Sequence, residues 1–399
     1  LPIWPQYRSD AGRSGYTPKP LPGALSLAWK YEQEPPSPAW RAVQTRMDFD
    51  YAPQPVIGGG MLFFGSSADC GIYALNAATG REMWSYFTDA PVRFAPALWK
   101  DRLFAAGDDG WLYCLSAKDG KLLWKKRGGP ESGMVLGNGR MISRYPLRGG
   151  PVIHKDVLYY GAGIWPSEGI FIRALDLNTG RERWVNDESG GMEWDQPHPT
   201  ARAKSGISAQ GYLAAAGDKL IIPTGRAIPA ALNLSDGSLG YFHLQEYRNY
   251  GGSRISANGR FFFAVAGNTR FERETIGPAN AFFNLETGKI ETSDQLPSPA
   301  MAFSSTHLFS FDPRNRCVHA YRFDGLFTEK TVTNGKGDME KRKFLATPEW
   351  SLDIRQPDAV TMIVAGNMLA VGTANHKAIL VDTGRRAVRS EERRVGKEC

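Results

Sequence analysis

Ile72-Tyr73-Ala74-Leu75-Asn76-Ala77-Ala78-Thr79-Gly80-Arg81-Glu82-Met83-Trp84 decides the fold, because the stretch returns. It recurs as Leu112-Tyr113-Cys114-Leu115-Ser116-Ala117-Lys118-Asp119-Gly120-Lys121-Leu122-Leu123-Trp124 and as Ile172-Arg173-Ala174-Leu175-Asp176-Leu177-Asn178-Thr179-Gly180-Arg181-Glu182-Arg183-Trp184. Weaker copies lie at Ala231, Gly237 and Tyr241, at Phe282–Gly288 and at Ala378–Gly384. A degenerate copy spans Ala320–Gly325, with Trp350 as its delayed outer aromatic. Each copy begins as a short apolar strand and ends in Asn76, Asp176 or an equivalent, whose side chain can bond its own backbone and start a turn. The glycine supplies the positive φ that closes a short hairpin loop. The aromatic four residues beyond the glycine can cover a neighbouring unit.

Two more strand signals precede each hairpin, for example Gln54–Val56 with Met61–Gly65, Ala95–Leu98 with Arg102–Ala106, and Gly150–Ile153 with Val157–Gly161. Each unit is therefore a four-stranded meander. Fixed-period repeats of this kind mean a repeat architecture. Helix-period repeats, which an ankyrin or tetratricopeptide solenoid requires, are missing, and an immunoglobulin array would not keep the glycine-to-tryptophan spacing. The reading is an all-β chain folded as a β-propeller of four-stranded blades.

Composition agrees. With 42% hydrophobic and 12% aromatic residues a large core can form, while 44 glycines and 26 prolines suit many short strands and turns. No apolar run is long enough to span a membrane as a helix. The net charge of +7 is mild, and clusters such as Lys125-Lys126-Arg127 and Lys341-Arg342-Lys343 read as solvated turns; with no zinc-finger or RNA-binding signature, no nucleic-acid partner is expected. Cys70, Cys114 and Cys317 are too scattered for a disulfide framework or metal site.

The Tyr-Ala-Leu-Asn-Ala-Ala-Thr-Gly-Arg-Glu-Met-Trp unit resembles the repeat of the pyrroloquinoline quinone (PQQ)-like β-propeller family, within the quinoprotein alcohol dehydrogenase-like superfamily. That repeat also occurs in the propeller lipoprotein of the outer-membrane assembly machinery. The opening Trp4-Pro5-Gln6-Tyr7-Arg8-Ser9-Asp10-Ala11-Gly12-Arg13-Ser14-Gly15-Tyr16 is similar to the start of secreted Planctomycetes-type PQQ-like propellers. The resemblance implies a periplasmic or secreted location and eight blades. Here Leu25–Tyr31, with Trp29, reads as a lone outer strand followed by seven hairpin units, so seven blades are expected of a native eight, leaving an open or poorly closed ring. Residues 389–399 resemble a translated sequencing adapter and read as a non-native tail. The expected division is an N-terminal extension over 1–24, a propeller over 25–388 and that tail.

Long loops between one blade's outer strand and the next blade's inner strand mark the candidate face: Glu32–Tyr51, Lys126–Gly149 and Val185–Gln210. With the inner loop Gly163–Glu168 they gather Arg46, Asp48, Asp50, Arg144, Arg148, Trp165, Glu168, Asp195, Gln196 and His198 as ligand-binding candidates. Arg93 and Arg148 occupy matching places, each three residues before the proline that opens an inner strand, and both can point at the central channel. For each residue taken singly a structural role is the simpler reading; His198, for instance, sits between two prolines.

The first functional reading is a non-catalytic binding scaffold for a protein, a glycan or an anionic small molecule, since no nucleophile elbow, HExxH, Walker loop or CxxC is present. The second, implied by the resemblance, is a dehydrogenase oxidising alcohols or sugars with PQQ and Ca²⁺. PQQ is a flat tricarboxylate that arginines and a tryptophan floor would suit; Asp195 or Glu168 would then be the base and Arg148 a carbonyl polariser. The chain lacks both the vicinal cysteine pair typical of those dehydrogenases and a Cys-x-x-Cys-His haem motif. A third reading is a polysaccharide-active enzyme, using Asp195 with Glu168 or His198 with a tyrosine.

Overall fold

The structure, a computed structural model, describes residues 4–393 except 23, 41–46, 138, 196–199, 226, 245–250, 266–268, 272–273, 277–279, 293–295, 297 and 299. The described residues build seven blades, each an antiparallel meander. The first comprises Val56–Gly58, Met61–Gly65, Gly71–Asn76 and Glu82–Phe87. The second comprises Ala97–Trp99, Arg102–Ala106, Trp111–Ser116 and Leu122–Arg127; the third, Gly149–His154, Val157–Ala162, Phe171–Asp176 and Glu182–Asn186. The fourth follows with Ala214–Ala216, Lys219–Ile222, Ala230–Asn233 and Leu239–Tyr241, and the fifth with Arg254–Ala257, Phe261–Val265 and Asn280–Asn284. The sixth holds Met301–Phe303, His307–Asp312, Cys317–Arg322 and Trp350–Asp353, and the seventh Ala359–Ala365, Met368–Thr373, Lys377–Asp382 and Ala387–Arg393. The last outer strand thus runs through the boundary expected at 388. Inner strands are buried while outer strands such as Glu82–Phe87 alternate, so the core lies between and within the blades.

The repeat works as its residues suggest. Asn76 Oδ1 accepts the N–H groups of Ala78 and Thr79, each at 3.0 Å. Gly80 turns at φ +71° and returns a bond to the Asn76 carbonyl. The degenerate sixth copy is confirmed as well: Ala320 pairs with Trp350, as Ala74 pairs with Trp84, and a hairpin, Phe327–Thr333 with Met339–Leu345, is inserted between them.

The aromatic of one blade covers the turn glycine of the next at four places: Trp29 on Gly80, Trp84 on Gly120, Trp184 on Gly237 and Tyr241 on Gly288. In each, the ring's N–H or O–H donates to the carbonyl three residues before that glycine: Ala77, Ala117, Leu234 and Leu285, at 3.0–3.1 Å. Two expected dockings are absent. Nothing stands within 4 Å of a side chain built at Gly180, and the Leu177 carbonyl accepts from Arg102 instead of Trp124; nor does Trp350 reach Gly384. Trp29 fills its place without a strand, since Leu25–Tyr31 pairs with no sheet among the described residues.

The inner strands all run from one mouth of the ring, called upper here, towards the other. At the lower mouth the N-terminal segment crosses from blade to blade and bonds every inner strand in turn. Trp4 exchanges two bonds with Ile57, and the Pro5 carbonyl accepts from Leu98. Gln6 exchanges two side-chain bonds with Ile153. The carbonyls of Ala11, Gly12, Ser14 and Gly15 then accept from Ala215, Ala257, Phe303 and Val364. Tyr16–Thr17 adds a parallel strand to the seventh blade. A ring expected to be poorly closed is therefore laced by a segment expected to be a mere extension.

Candidate functional site

The upper mouth holds the expected charged residues, but paired with one another. Asp108, in the turn between the middle strands of blade 2, receives Arg148 through Nε at 2.8 Å and Nη2 at 3.0 Å. It also receives Arg93 Nε at 2.5 Å. Arg93 Nη1 continues to Asp50 at 2.6 Å and to the Ser37 carbonyl at 2.6 Å, and Asp50 accepts the Ala39 N–H. All four side chains are buried, Arg148 at 3% exposure and Asp108 at 1%. Burial works to lower the pKa of Arg93, but Asp108 and Asp50 outweigh it and hold the group above the ordinary arginine value. Arg148, with Asp108 alone in contact, is pushed down by burial. Two carboxylates balance two guanidinium groups; among the described residues Nη1 of Arg148 and Oδ1 of Asp50 find no partner.

Asp48 belongs to a separate pair. It binds Arg254, at the start of the fifth inner strand, and accepts from Ser253 Oγ at 3.0 Å. Trp40 donates to Gln210 at 3.3 Å and Met47 lies against Gly225. Within the loop expected at Glu32–Tyr51, residues 37–40 and 47–50 thus lie at the upper mouth, bonded to blades on both sides.

Between the mouths the interior is filled. Phe49 stacks on Phe94 with centroids 4.9 Å apart, Phe94 meets the edge of Tyr212 at 5.0 Å, and Tyr212 stacks on Tyr7 at 3.6 Å. The Tyr212 hydroxyl accepts the Ala95 N–H. Below them Arg13 is fully buried, its guanidinium beside both tyrosine rings. It donates to the carbonyls of Leu213, Tyr7 and Pro151 at 2.8–3.0 Å. Burial pushes this guanidinium down to about 10.

The other candidates stand apart. Arg144 bonds Glu131 at 2.8 Å and reaches Glu168 at 3.7 Å, all half-exposed, beside the exposed Trp165. Asp195 faces Arg202 across the exposed hairpin Glu193–Asp195 with Arg202–Lys204. Arg46, Gln196 and His198 lie outside the described residues. No group of three His, Cys, Asp or Glu side chains among the described residues could hold a metal ion. Sequence reasoning missed Asp108, Arg254, Tyr212 and Arg13. Asp108-Asp109-Gly110 reads as ordinary turn chemistry, and half of it is: Asp109 accepts from Trp111 N–H and from the Tyr113 hydroxyl. The doubled acid was the available signal.

Residues 29–186 match the family PQQ_2, described as "Outer membrane protein assembly factor BamB". Among curated proteins the chain is 29% identical over 175 residues to the dehydrogenase subunit of the quinone alcohol dehydrogenase of Gluconobacter oxydans, 41% of this chain and 21% of that one. It is 32% identical over 124 residues to the corresponding subunit of Gluconacetobacter polyoxogenes, 28% of this chain and 16% of that one. The chain therefore matches about a fifth of the length of these relatives. Among solved structures, a europium-containing methanol dehydrogenase covers 98% of this chain with 85% of its own, at a TM-score of 0.51 and 11% identity, a likeness of fold alone. The repeat and these likenesses converge on one conclusion: residues 29–186 match the PQQ-repeat family, and the described residues fold as a seven-bladed β-propeller.

Proposed function

We propose that this propeller is a non-catalytic scaffold, periplasmic or secreted, that binds a protein partner on its upper face. The observation that carries the reading is the filled interior. A flat tricarboxylate inside the ring would need space and surplus positive charge. The Phe49, Phe94, Tyr212 and Tyr7 rings take the space. Arg93 and Arg148 are neutralised by Asp50 and Asp108, and opening a buried ion pair costs about 3–5 kcal/mol. The residues present therefore do not fit PQQ, and no catalytic step is drawn through it. The matched family's description as an assembly factor supports the partner and the location.

A protein surface is available nearby. The hairpin Met134–Gly137 with Arg140–Ser143 stands out from the upper face with Met134, Leu136 and Met141 exposed, Leu136 at 74%. Trp165 is exposed beyond it, and Arg144 joins the two through Gly133 and Glu168. Exposed apolar side chains rimmed by charge mark protein-binding surfaces. The dehydrogenase reading keeps the support of the curated relatives. Titration with PQQ in the presence of Ca²⁺, followed by cofactor absorbance and tryptophan fluorescence, separates the two. The scaffold reading expects no stoichiometric binding at high micromolar PQQ. Calcium-dependent stoichiometric binding, with dye reduction on adding alcohols or sugars, would overturn it.

A further inference from the structure

The junction between blades 5 and 6 lacks the ring that covers the turn glycine at Gly80, Gly120, Gly237 and Gly288. Four residues past Gly288, where the first four copies place Trp84, Trp124, Trp184 and Tyr241, stands Thr292. Among the described residues blade 5 ends at its third strand, with a fourth reduced to the bridge between Phe283 and Ile290 and the bond from Glu291 N–H to the Phe282 carbonyl.

The receiving side in blade 6 is nonetheless built. In the filled junctions the acceptor carbonyl belongs to a residue whose own N–H bonds the turn joining that blade's first two strands: Ala77 to Gly60, Ala117 to Asp101, Leu234 to Asp218 and Leu285 to Arg260. Phe323 makes the same bond, to Thr306 at 2.9 Å, so its carbonyl occupies the acceptor's place. No ring among the described residues donates to it. Beside it opens a cleft of about 660 Å³, within the size range of ligand sites. Phe261, Phe323 and Phe327 form its apolar lining, with Phe261 edge-on or tilted to the other two at 5.8–5.9 Å. At the rim Lys343 pairs with Glu291 at 2.6 Å, and Arg260 and Glu329 complete a set of four charges that cancel.

We propose that this cleft binds an indole ring carried by a tryptophan of another polypeptide. The ring would stand where Trp184 and Tyr241 stand at other junctions, beside the buried Thr292, and donate its N–H to the Phe323 carbonyl. Indole fits on three counts: aromatic walls, a neutral rim, and one acceptor at the place where Trp29, Trp84 and Trp184 each find theirs. The site lies at the lower face and stands independently of how the upper face is read.

The test is saturation-transfer NMR on the full chain with N-acetyl-L-tryptophanamide. Two variants close the cleft: Thr292→Trp, and Gly259→Phe, where an added side chain meets nothing within 4 Å and the backbone needs no positive φ. The expected result is transfer to the indole protons of the probe, reduced at least about fivefold in both variants, with Thr292→Trp also raising Tm. Should Thr292→Trp fail to fold, Gly259→Phe decides alone. No transfer to the probe would overturn the proposal, as would transfer unchanged by the variants. Binding of free indole or glucose without binding of the tryptophan amide would equally overturn it.

Discussion

The two mouths of the ring are closed by the same N-terminal stretch of chain, but with opposite chemistry. At the lower mouth, residues 4–17 are held chiefly by backbone bonds to every inner strand, and the buried Arg13 bonds three carbonyls and no carboxylate. At the upper mouth, residues 47–50 are held through side chains: Asp50 to Arg93, Asp48 to Arg254, Phe49 on Phe94. Backbone bonding tolerates sequence change and salt. Ion pairs demand particular residues, and where they reach water they weaken as ionic strength rises. The upper closure is therefore the specific and adjustable one, and the lower closure is the anchor.

Substitutions should break the two ends differently. Asp108→Ala has the largest expected effect, a loss of about 3–5 kcal/mol in urea unfolding, because it strands the buried Arg148 and removes one of the two carboxylates that hold Arg93. Arg13→Ala comes next, at about 3 kcal/mol: the three carbonyls lose their donor, each worth about 1–2 kcal/mol net, but a buried charge without a carboxylate in contact also disappears. Trp29→Ala should cost about 2 kcal/mol, since its half-buried ring covers Gly80 of blade 1 and donates to the Ala77 carbonyl. Asp48→Asn should cost under about 1 kcal/mol, because the pair is partly exposed. Its cost should also shrink in 0.5 M salt, whereas that of Arg13→Ala should not. If both responded alike to salt, the contrast between the mouths would fail.

The blades were legible because their chemistry is local. Asn76 and Gly80 set a turn within a handful of residues, and Trp84 announces its docking by a fixed offset. Trp124 carries the same offset and does not dock; the Leu177 carbonyl accepts from Arg102, on another strand, instead. Arg93 and Arg148 could be picked out as a matched pair by their distance from a proline, but the partner that joins them, Asp108, lies in a loop whose acids also serve the turn. The lacing of the lower mouth left still less trace. Its bonds come mostly from carbonyls, which every residue has, so Trp4–Tyr16 could be recognised as a familiar opening without revealing its path. Arg13 was hidden for the same reason, since a cation satisfied by carbonyls needs no matching acid in the sequence.

Hydrogen exchange followed by mass spectrometry tests the central claim, that the chain's own N-terminal segments fill the ring, most directly. The amides that these segments bury as donors, those of Trp4, Arg13, Gly15 and Ala39, should exchange as slowly as those of the inner strands Gly149–His154 and Ala359–Ala365. Exchange of either segment within seconds, while the inner strands stay protected, would mean that the interior stands open and would contradict the account.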